Sequence, residues 1–450
     1  MVHKKQVLKL LCLFLASLII RVLFYNAFLR DNPVQLAFDA GHYHTVAANV
    51  AAGKGLVNDD GTPHFYRLPG YPLSLAGCYK IFGVDASRAL WVQLLLASLV
   101  PVLVFLLALQ MFTSNTIVAM FAAMVTALHP GFLIFSGLVM SETLFMLFFL
   151  GFLLLFFGVL YNQCAIKKAL AAGIFLGVAS LIRPIEPVIV LLAIALLVCL
   201  MPSRKQALCA SATLFTGWCA VVGVWLLRNF LLTGSLFLHT LSGPHLLNHG
   251  AVRVVMRAQK ISYEQAKRDV DVWLKQAEQQ ARMLTGGQLH EIDASRCAQR
   301  LAVTVFIAHP VQTFKLCLVN ALKTVFSLYS SELLFIDSGG QLPPYQPNRG
   351  IKEMVLRFLN PDVHNRWIIW IIYAEIMLNI MLLFGFCGFI IDALIRHKDL
   401  SVVVMAASFF LLFIALSSIC GFARLRLPIE PFFIMLSLMF WRRVCKKRVV

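Results

Sequence analysis

Runs of about twenty apolar residues recur from one end of this chain to the other, and no other feature limits its fold so severely. At about 1.5 Å of rise per residue, such a run forms a helix long enough to cross the roughly 30 Å hydrocarbon core of a bilayer. Strands of alternating hydrophobicity, the mark of a transmembrane β-barrel, are not seen in the sequence. The composition agrees. Of 450 residues, 60% are hydrophobic and only 13% charged, and the mean hydropathy is +0.81, which excludes an ordinary soluble globule. The expected fold class is an all-α polytopic membrane protein. Its spans are read at 8–29, 89–112, 117–136, 142–161, 169–182, 185–201, 207–227, 367–393, 401–420 and 428–441. The first is too long for a signal peptide and lacks a small-residue cleavage site, so it is read as an uncleaved span.

The formal net charge of +18 raises the question of a nucleic-acid partner, and its distribution answers it. Basic residues gather in short breaks: Lys4/Lys5, Lys167/Lys168, Arg204/Lys205, Arg396/Lys398 and the tail Arg442, Arg443, Lys446, Lys447, Arg448. Such breaks mark the cytoplasmic side of a membrane, so the charge sets topology. With about ten crossings, both termini fall in the cytoplasm, and loops 30–88, 137–141, 228–366 and 421–427 fall outside. The eleven cysteines are scattered without a CxxC pair, which suggests neither a metal site nor a disulfide framework. A bridge among Cys78, Cys297 and Cys317 is left open.

Residues 303–330 are apolar but carry a polar stripe (His309, Gln312, Lys315, Asn320, Lys323, Ser327), the pattern of an amphipathic helix lying on the outer surface. Before it, 245–306 reads as solvated protein. Ser262 with Gln265 forms a capping box that opens a helix ending near Gly286-Gly287, Asp293 is placed to cap a second helix, and Pro310 interrupts it.

Polar chemistry has few places in such a chain, and the 38–83 stretch is one of them. Asp39 opens a short helix over Ala40–Ala52 that Gly53 and Gly55 stop, and His42, Tyr43 and His44 share its first turns. As a lone residue Asp39 is read first as a helix cap. Its functional reading is a general base or metal ligand at the membrane surface. Glu142, after Ser141, has the same two readings on the same side. Arg67, Arg183, Arg228, Arg424 and Arg426 all fall at outer ends of spans or in outer loops; any one alone is read first as snorkelling to lipid headgroups, and five on one side suit a phosphate or diphosphate. Pro69-Gly70-Tyr71-Pro72 fixes a sharp corner and starts a helix at Pro72; it is read either as a turn back toward the second span or as a rigid mount that holds Arg67 and Tyr71 over a cavity. The Trp225–Asn229 segment, Gly234 and the run at 242–250 form another outer boundary.

Taken in order, these motifs resemble a known family. Asp39 with Tyr43 and Ala47-x-Asn49, then Arg67-x-Pro69-Gly70-Tyr71-Pro72, Ser141-Glu142, Arg183-Pro184, Arg228-Asn229 with Gly234, and Arg424-Leu425-Arg426-Leu427-Pro428-Ile429-Glu430-Pro431 resemble the GT-C class membrane glycosyltransferases. The closest group is the glycosyltransferase 39 or protein mannosyltransferase-like one, including the lipid A aminoarabinose transferases. The resemblance covers roughly residues 30–431. It implies a GT-C-like bundle of about ten transmembrane helices with juxtamembrane helices on the outer face, spanning 1–450 as one domain. The first outer catalytic loop would be 30–88 and the large outer loop 228–366.

The implied activity is transfer of a sugar from a polyprenyl-phosphate donor to a lipid, glycan or protein acceptor on the outer, periplasmic face of a bacterial inner membrane, with inversion. Asp39 and Glu142 map to the catalytic carboxylates, and Arg67, Arg228, Arg424 and Arg426 to the donor phosphate. His42, Tyr43, Tyr71, Arg183 and Asn229 map to substrate contacts. A divalent cation (magnesium, manganese or zinc) shared by Asp39 and Glu142 is one option. Many relatives carry two adjacent acidic residues where Asp39 is followed here by Ala40, and some carry a C-terminal soluble domain. A transporter or scramblase of lipid-linked anionic glycans is the alternative, and a noncatalytic scaffold the third reading.

Overall fold

The computed structural model describes residues 2–31, 36, 39–112, 115–161, 166–184, 186–284, 289–340, 363 and 365–447. The predicted helix end at Gly286-Gly287, the 341–362 stretch of the outer loop and the tail residue Arg448 lie outside them. Each apolar run forms helix: α1 (Val2–Phe28), α4 (Ala86–Ala97), α5 (Val100–Met111), α6 (Thr116–Leu128), α7 (Pro130–Ser136), α8 (Glu142–Tyr161), α9 (Ile166–Ser180), α10 (Glu186–Leu200), α11 (Arg204–Thr233), α18 (Trp367–Arg396), α19 (Leu400–Ser417) and α20 (Glu430–Lys447). Between them lie α2 (Asp39–Ala51), α3 (Gly70–Phe82), α12 (Ser242–His245), a π-helical turn (Leu246–Ala251), α13 (Val252–Gln259), α14 (Tyr263–Leu284), α15 (Glu291–Ala308), α16 (Pro310–Phe326) and α17 (Ser331–Asp337). An isolated antiparallel bridge, Val57 with Pro63, ties off the loop after α2.

Among the described residues six helical stretches, with α4 and α5 counted as one, are long and apolar enough to span a bilayer, or up to eight if each bent pair is one span. The ten expected crossings are thus not all matched by length. At 15 residues each, α9 and α10 reach only about 22 Å. Helices α6 and α7 are bent by 51° at His129-Pro130, and α15 and α16 by 106° at His309-Pro310. The second bend fits the expected proline interruption. Ser262 caps α14 as expected, its Oγ accepting from Gln265 N at 3.1 Å. Asp293, by contrast, is no cap. Helix α15 begins at Glu291, and Asp293 pairs with Arg296 within its first turn, at 3.4 Å. The ten described cysteines are free.

One large apolar core fills the spanning bundle, where Phe145, Phe149, Phe152 and Phe156 of α8 are fully buried against helices that include α19. A second, smaller core of Leu247, Val252, Val255, Val270, Ala302 and Leu316 joins the π turn, α13, α14, α15 and α16 into a separate cap. Helix α2 packs on α3, and both belong with the first core.

Candidate active site

Glycines set the backbone around Arg67. Helix α2 stops where Gly53 takes φ +79°, a left-handed conformation open to glycine at little cost. At the proline corner, Gly70 N donates to Leu181 O at 2.7 Å, and a Cβ at Gly70 would lie 2.6 Å from that oxygen. The corner is therefore pressed against the end of α9, two residues before Arg183. Helix α3 starts at Gly70, not Pro72. His64 then fixes Arg67 itself: its Nε2 accepts from Arg67 N at 3.1 Å while Nδ1 meets Asn58 Oδ1 at 2.7 Å. Burial, then His42, Arg67 and Arg228, lower the His64 pKa to about 4, so the ring is neutral and its Nε2 can accept.

These constraints converge on Asp39. Arg67 Nη2 donates to Asp39 Oδ1 at 2.6 Å, and Arg424 Nη1 donates to Oδ2 at 3.1 Å. The capping reading of Asp39 gives way to this bridge, since both carboxylate oxygens hold guanidiniums. Tyr43 fills the space behind. Its hydroxyl accepts from Arg67 Nη1 and stands 3.5 Å from Ser141 Oγ, and its ring packs edge-on against Tyr71. Tyr71 is buried and donates to Gln93, which donates to carbonyls of 135, 136 and 138. It supports Tyr43 and does not face the open side. Beside Ser141, Glu142 lies 3.3 Å from Arg183, with its Oε2 unpartnered. His42 is exposed, with its ring against Tyr66.

The electrostatics bind the group together. Burial would raise the Asp39 pKa, but Arg424 and Arg67 more than offset this and hold it below the ordinary carboxylate value. Burial would lower the Arg424 pKa, and Glu142, Asp39, Glu332 and Tyr43 together carry it above its ordinary value. Glu332 was not singled out by the sequence. Its pKa is raised by burial, with Arg424 opposing and Glu142 and Asp39 adding to the rise. Its signal was an acidic residue in the short segment after the amphipathic helix. His245 also joins the neighbourhood. Burial, then His249 and Arg424, lower its pKa to about 4 against an opposing pull from Asp39.

Three residues expected at the site stand elsewhere. Arg228 donates to His64 O, Leu56 O and Asn229 Oδ1 and stacks on Trp225 and Phe65. It braces the loop that carries Arg67 from the opposite side. Asn229 is fully buried and donates to Phe237 O. Arg426 follows Arg424 by two residues, yet pairs with Glu430 at 2.5 Å, donates to the carbonyls of Thr324 and Val325, and lies over Tyr329. Tyr329 donates to Glu430, and Glu375 accepts from Tyr329 N and Ser330 N.

In this arrangement each Asp39 oxygen accepts from one guanidinium, while Glu142 lies beside Arg183 with Oε2 free of a partner. Among the described residues no group of three or more histidine, cysteine, aspartate or glutamate side chains is arranged to hold a metal ion.

Fold and composition together define a multi-pass α-helical membrane protein, and its fold is similar to that of GT-C membrane glycosyltransferases. Residues 66–228 match the family described as dolichyl-phosphate-mannose-protein mannosyltransferase, an interval holding Arg67, Glu142 and Arg183 but neither Asp39 nor Arg424. The chain is similar to the archaeal oligosaccharyltransferase AglB from Archaeoglobus fulgidus in complex with an inhibitory peptide and a dolichol-phosphate. That match has a TM-score of 0.53 and 13% identity over 97% of this chain and 50% of that one. The apo form of an oligosaccharyltransferase from the same organism matches at TM-score 0.51 and 16% identity, over 98% and 52%. ArnT from Cupriavidus metallidurans bound to undecaprenyl phosphate matches at TM-score 0.42 and 12% identity, over 96% and 77%. The chain thus spans about half the length of the archaeal enzymes it matches. No curated protein sequence matches it. The resemblance to GT-C class membrane glycosyltransferases read from the ordered motifs is borne out.

Proposed function

We propose that the protein transfers a sugar from a polyprenyl-phosphate donor to an acceptor hydroxyl or amine at the outer, periplasmic face of a bacterial inner membrane, with both termini in the cytoplasm. The observation that carries this reading is the Asp39 carboxylate bridged by Arg67 and Arg424 at a half-open face. Two guanidiniums held on one carboxylate are spaced to take the oxygens of a phosphate instead. The matched family's dolichyl-phosphate donor, and the dolichol-phosphate bound to the archaeal enzyme, support that choice of ligand.

In this reading the donor phosphate draws Arg67 and Arg424 away from Asp39, which frees a carboxylate oxygen. Asp39 then orients the acceptor and takes its proton as the acceptor attacks the anomeric carbon. The bond from that carbon to the phosphate oxygen breaks, and the guanidiniums stabilise the departing phosphate. Attack opposite the leaving group inverts the anomeric centre. Glu142, held near Arg183, and Glu332 tune the field at Arg424. Arg228 and Arg426 hold the scaffold and leave the phosphate to Arg67 and Arg424.

The test is reconstitution in liposomes with a radiolabelled polyprenyl-phosphate sugar. The expected result is label on an acceptor with inverted anomeric configuration. Movement of intact labelled lipid between leaflets without transfer would replace this reading with a scramblase. Arg67→Ala should raise the donor KM more than the acceptor KM; an unchanged donor KM would remove Arg67 from phosphate binding.

A further inference from the structure

A groove of about 440 Å³ opens beside the second arginine cluster, away from Asp39. Its walls are apolar: Ile376, Ile380 and Leu383 of α18, Phe326 at the end of α16, and Phe433 of α20. The volume lies within the range of ordinary ligand sites. Arg426 and Asn379 also line it, and each has a buried donor without a partner, Arg426 Nη2 and Asn379 Nδ2. The Arg426 side chain is only 4% exposed. An unpartnered buried donor is costly, and an asparagine in the middle of a spanning helix normally faces protein interior or a cavity.

The charge on the groove decides what fits. Glu430 also lines it and pairs with Arg426 at 2.5 Å, so the site offers hydrogen-bond donors without net positive charge. A phosphate there would meet a carboxylate. A neutral carbonyl oxygen on an apolar chain meets both requirements. We propose that this groove binds one acyl chain of an ester-linked bilayer glycerophospholipid, with the ester carbonyl accepting from Arg426 Nη2 and Asn379 Nδ2. The lipid seats the turn between α16 and α17 against α18 and is separate from the glycosyl donor. The inference stands whether or not the transfer reaction does.

The experiment purifies wild type, Ile380→Trp and Asn379→Leu in mild detergent and quantifies bound lipid by mass spectrometry. Ile380 is 48% exposed, so tryptophan can obstruct the groove without entering the core. Wild type should retain diacyl phospholipid, and Ile380→Trp at least ten-fold less. After delipidation, dioleoyl phosphatidylethanolamine should raise the melting midpoint of wild type. Its diether analogue, which lacks the carbonyl, should raise it no more than the diester raises that of Asn379→Leu. Equal phospholipid in wild type and Ile380→Trp would overturn the proposal. So would equal shifts from diester and diether in wild type, a comparison that needs no variant to fold. Polyprenyl phosphate as the lipid lost from Ile380→Trp would assign the groove to the donor and equally overturn it.

Discussion

Arg424 and Arg426 sit two residues apart, the first in a 3₁₀ turn (Ala423–Leu425) and the second at the break before another (Leu427–Ile429), and they enter two clusters of opposite character. Arg424 meets Asp39 where both side chains keep about a quarter of their surface exposed, 26% and 25%. Arg426 meets Glu430 with 4% and 2% exposed, and it is tied further to two backbone carbonyls and the Tyr329 ring. The residue types are the same, and the surroundings assign the roles. A buried ion pair with supporting hydrogen bonds fixes one arrangement and resists exchange of partners. A half-open pair shared among two cations and one anion can exchange its anion for a ligand. The closed cluster pins the turn, and the pinned turn delivers Arg424 to Asp39.

The largest effect should come from the closed cluster. Glu430→Ala leaves Arg426 buried without its carboxylate, a loss of about 3–5 kcal/mol, and folded protein recovered from the membrane should fall sharply. If Glu430→Ala instead purified with an unchanged melting midpoint and reduced transfer, the division between the clusters would collapse. Next, Arg424→Ala should lower kcat/KM about 10²–10³-fold with little change in melting. Arg424→Lys should recover only part of this, because an ammonium lacks the planar fork. Smaller again is Arg228→Ala, which removes a brace. Transfer should drop by about ten-fold, equivalent to about 1.4 kcal/mol, together with faster proteolysis in the 53–65 loop. A donor KM effect as large as that of Arg67→Ala would return Arg228 to the phosphate site.

The smallest effect is a pH dependence of stability. The folded pKa of Asp39 is lowered, so its ion pairs contribute fully above the unfolded carboxylate value and are lost as pH falls through the lower folded value. The gap in melting midpoint between wild type and Asp39→Asn should stay constant from about pH 8 to 5 and close below about pH 4. A gap that closed on raising the pH would have the wrong sign.

Much of the site was legible because its signals are local. The helix begun at Asp39, the corner at 69–72, and charges at the ends of apolar runs all follow from short-range chemistry. Shared sidedness then gathered Asp39, Arg67, Glu142, Arg183 and Arg424. What stayed hidden was the direction of side chains on irregular backbone. On a regular helix a spacing of two implies different faces, but the 423–429 segment is two 3₁₀ turns broken at Arg426, and its two arginines gave no such guide. Arg228 looked like a phosphate ligand because its partners are backbone carbonyls, which leave no mark in a sequence. Glu332 escaped because its link to the site is burial and the field of Arg424, Glu142 and Asp39, all far from it in sequence.

The central claim is that Asp39 acts at the site of transfer. The direct measurement is the single-turnover rate of Asp39→Asn in liposomes with saturating polyprenyl-phosphate sugar, beside its melting midpoint at neutral pH. A rate about 10²–10⁴-fold below wild type, from a protein that still melts cooperatively, is the expected result. A rate within two-fold of wild type would contradict the account.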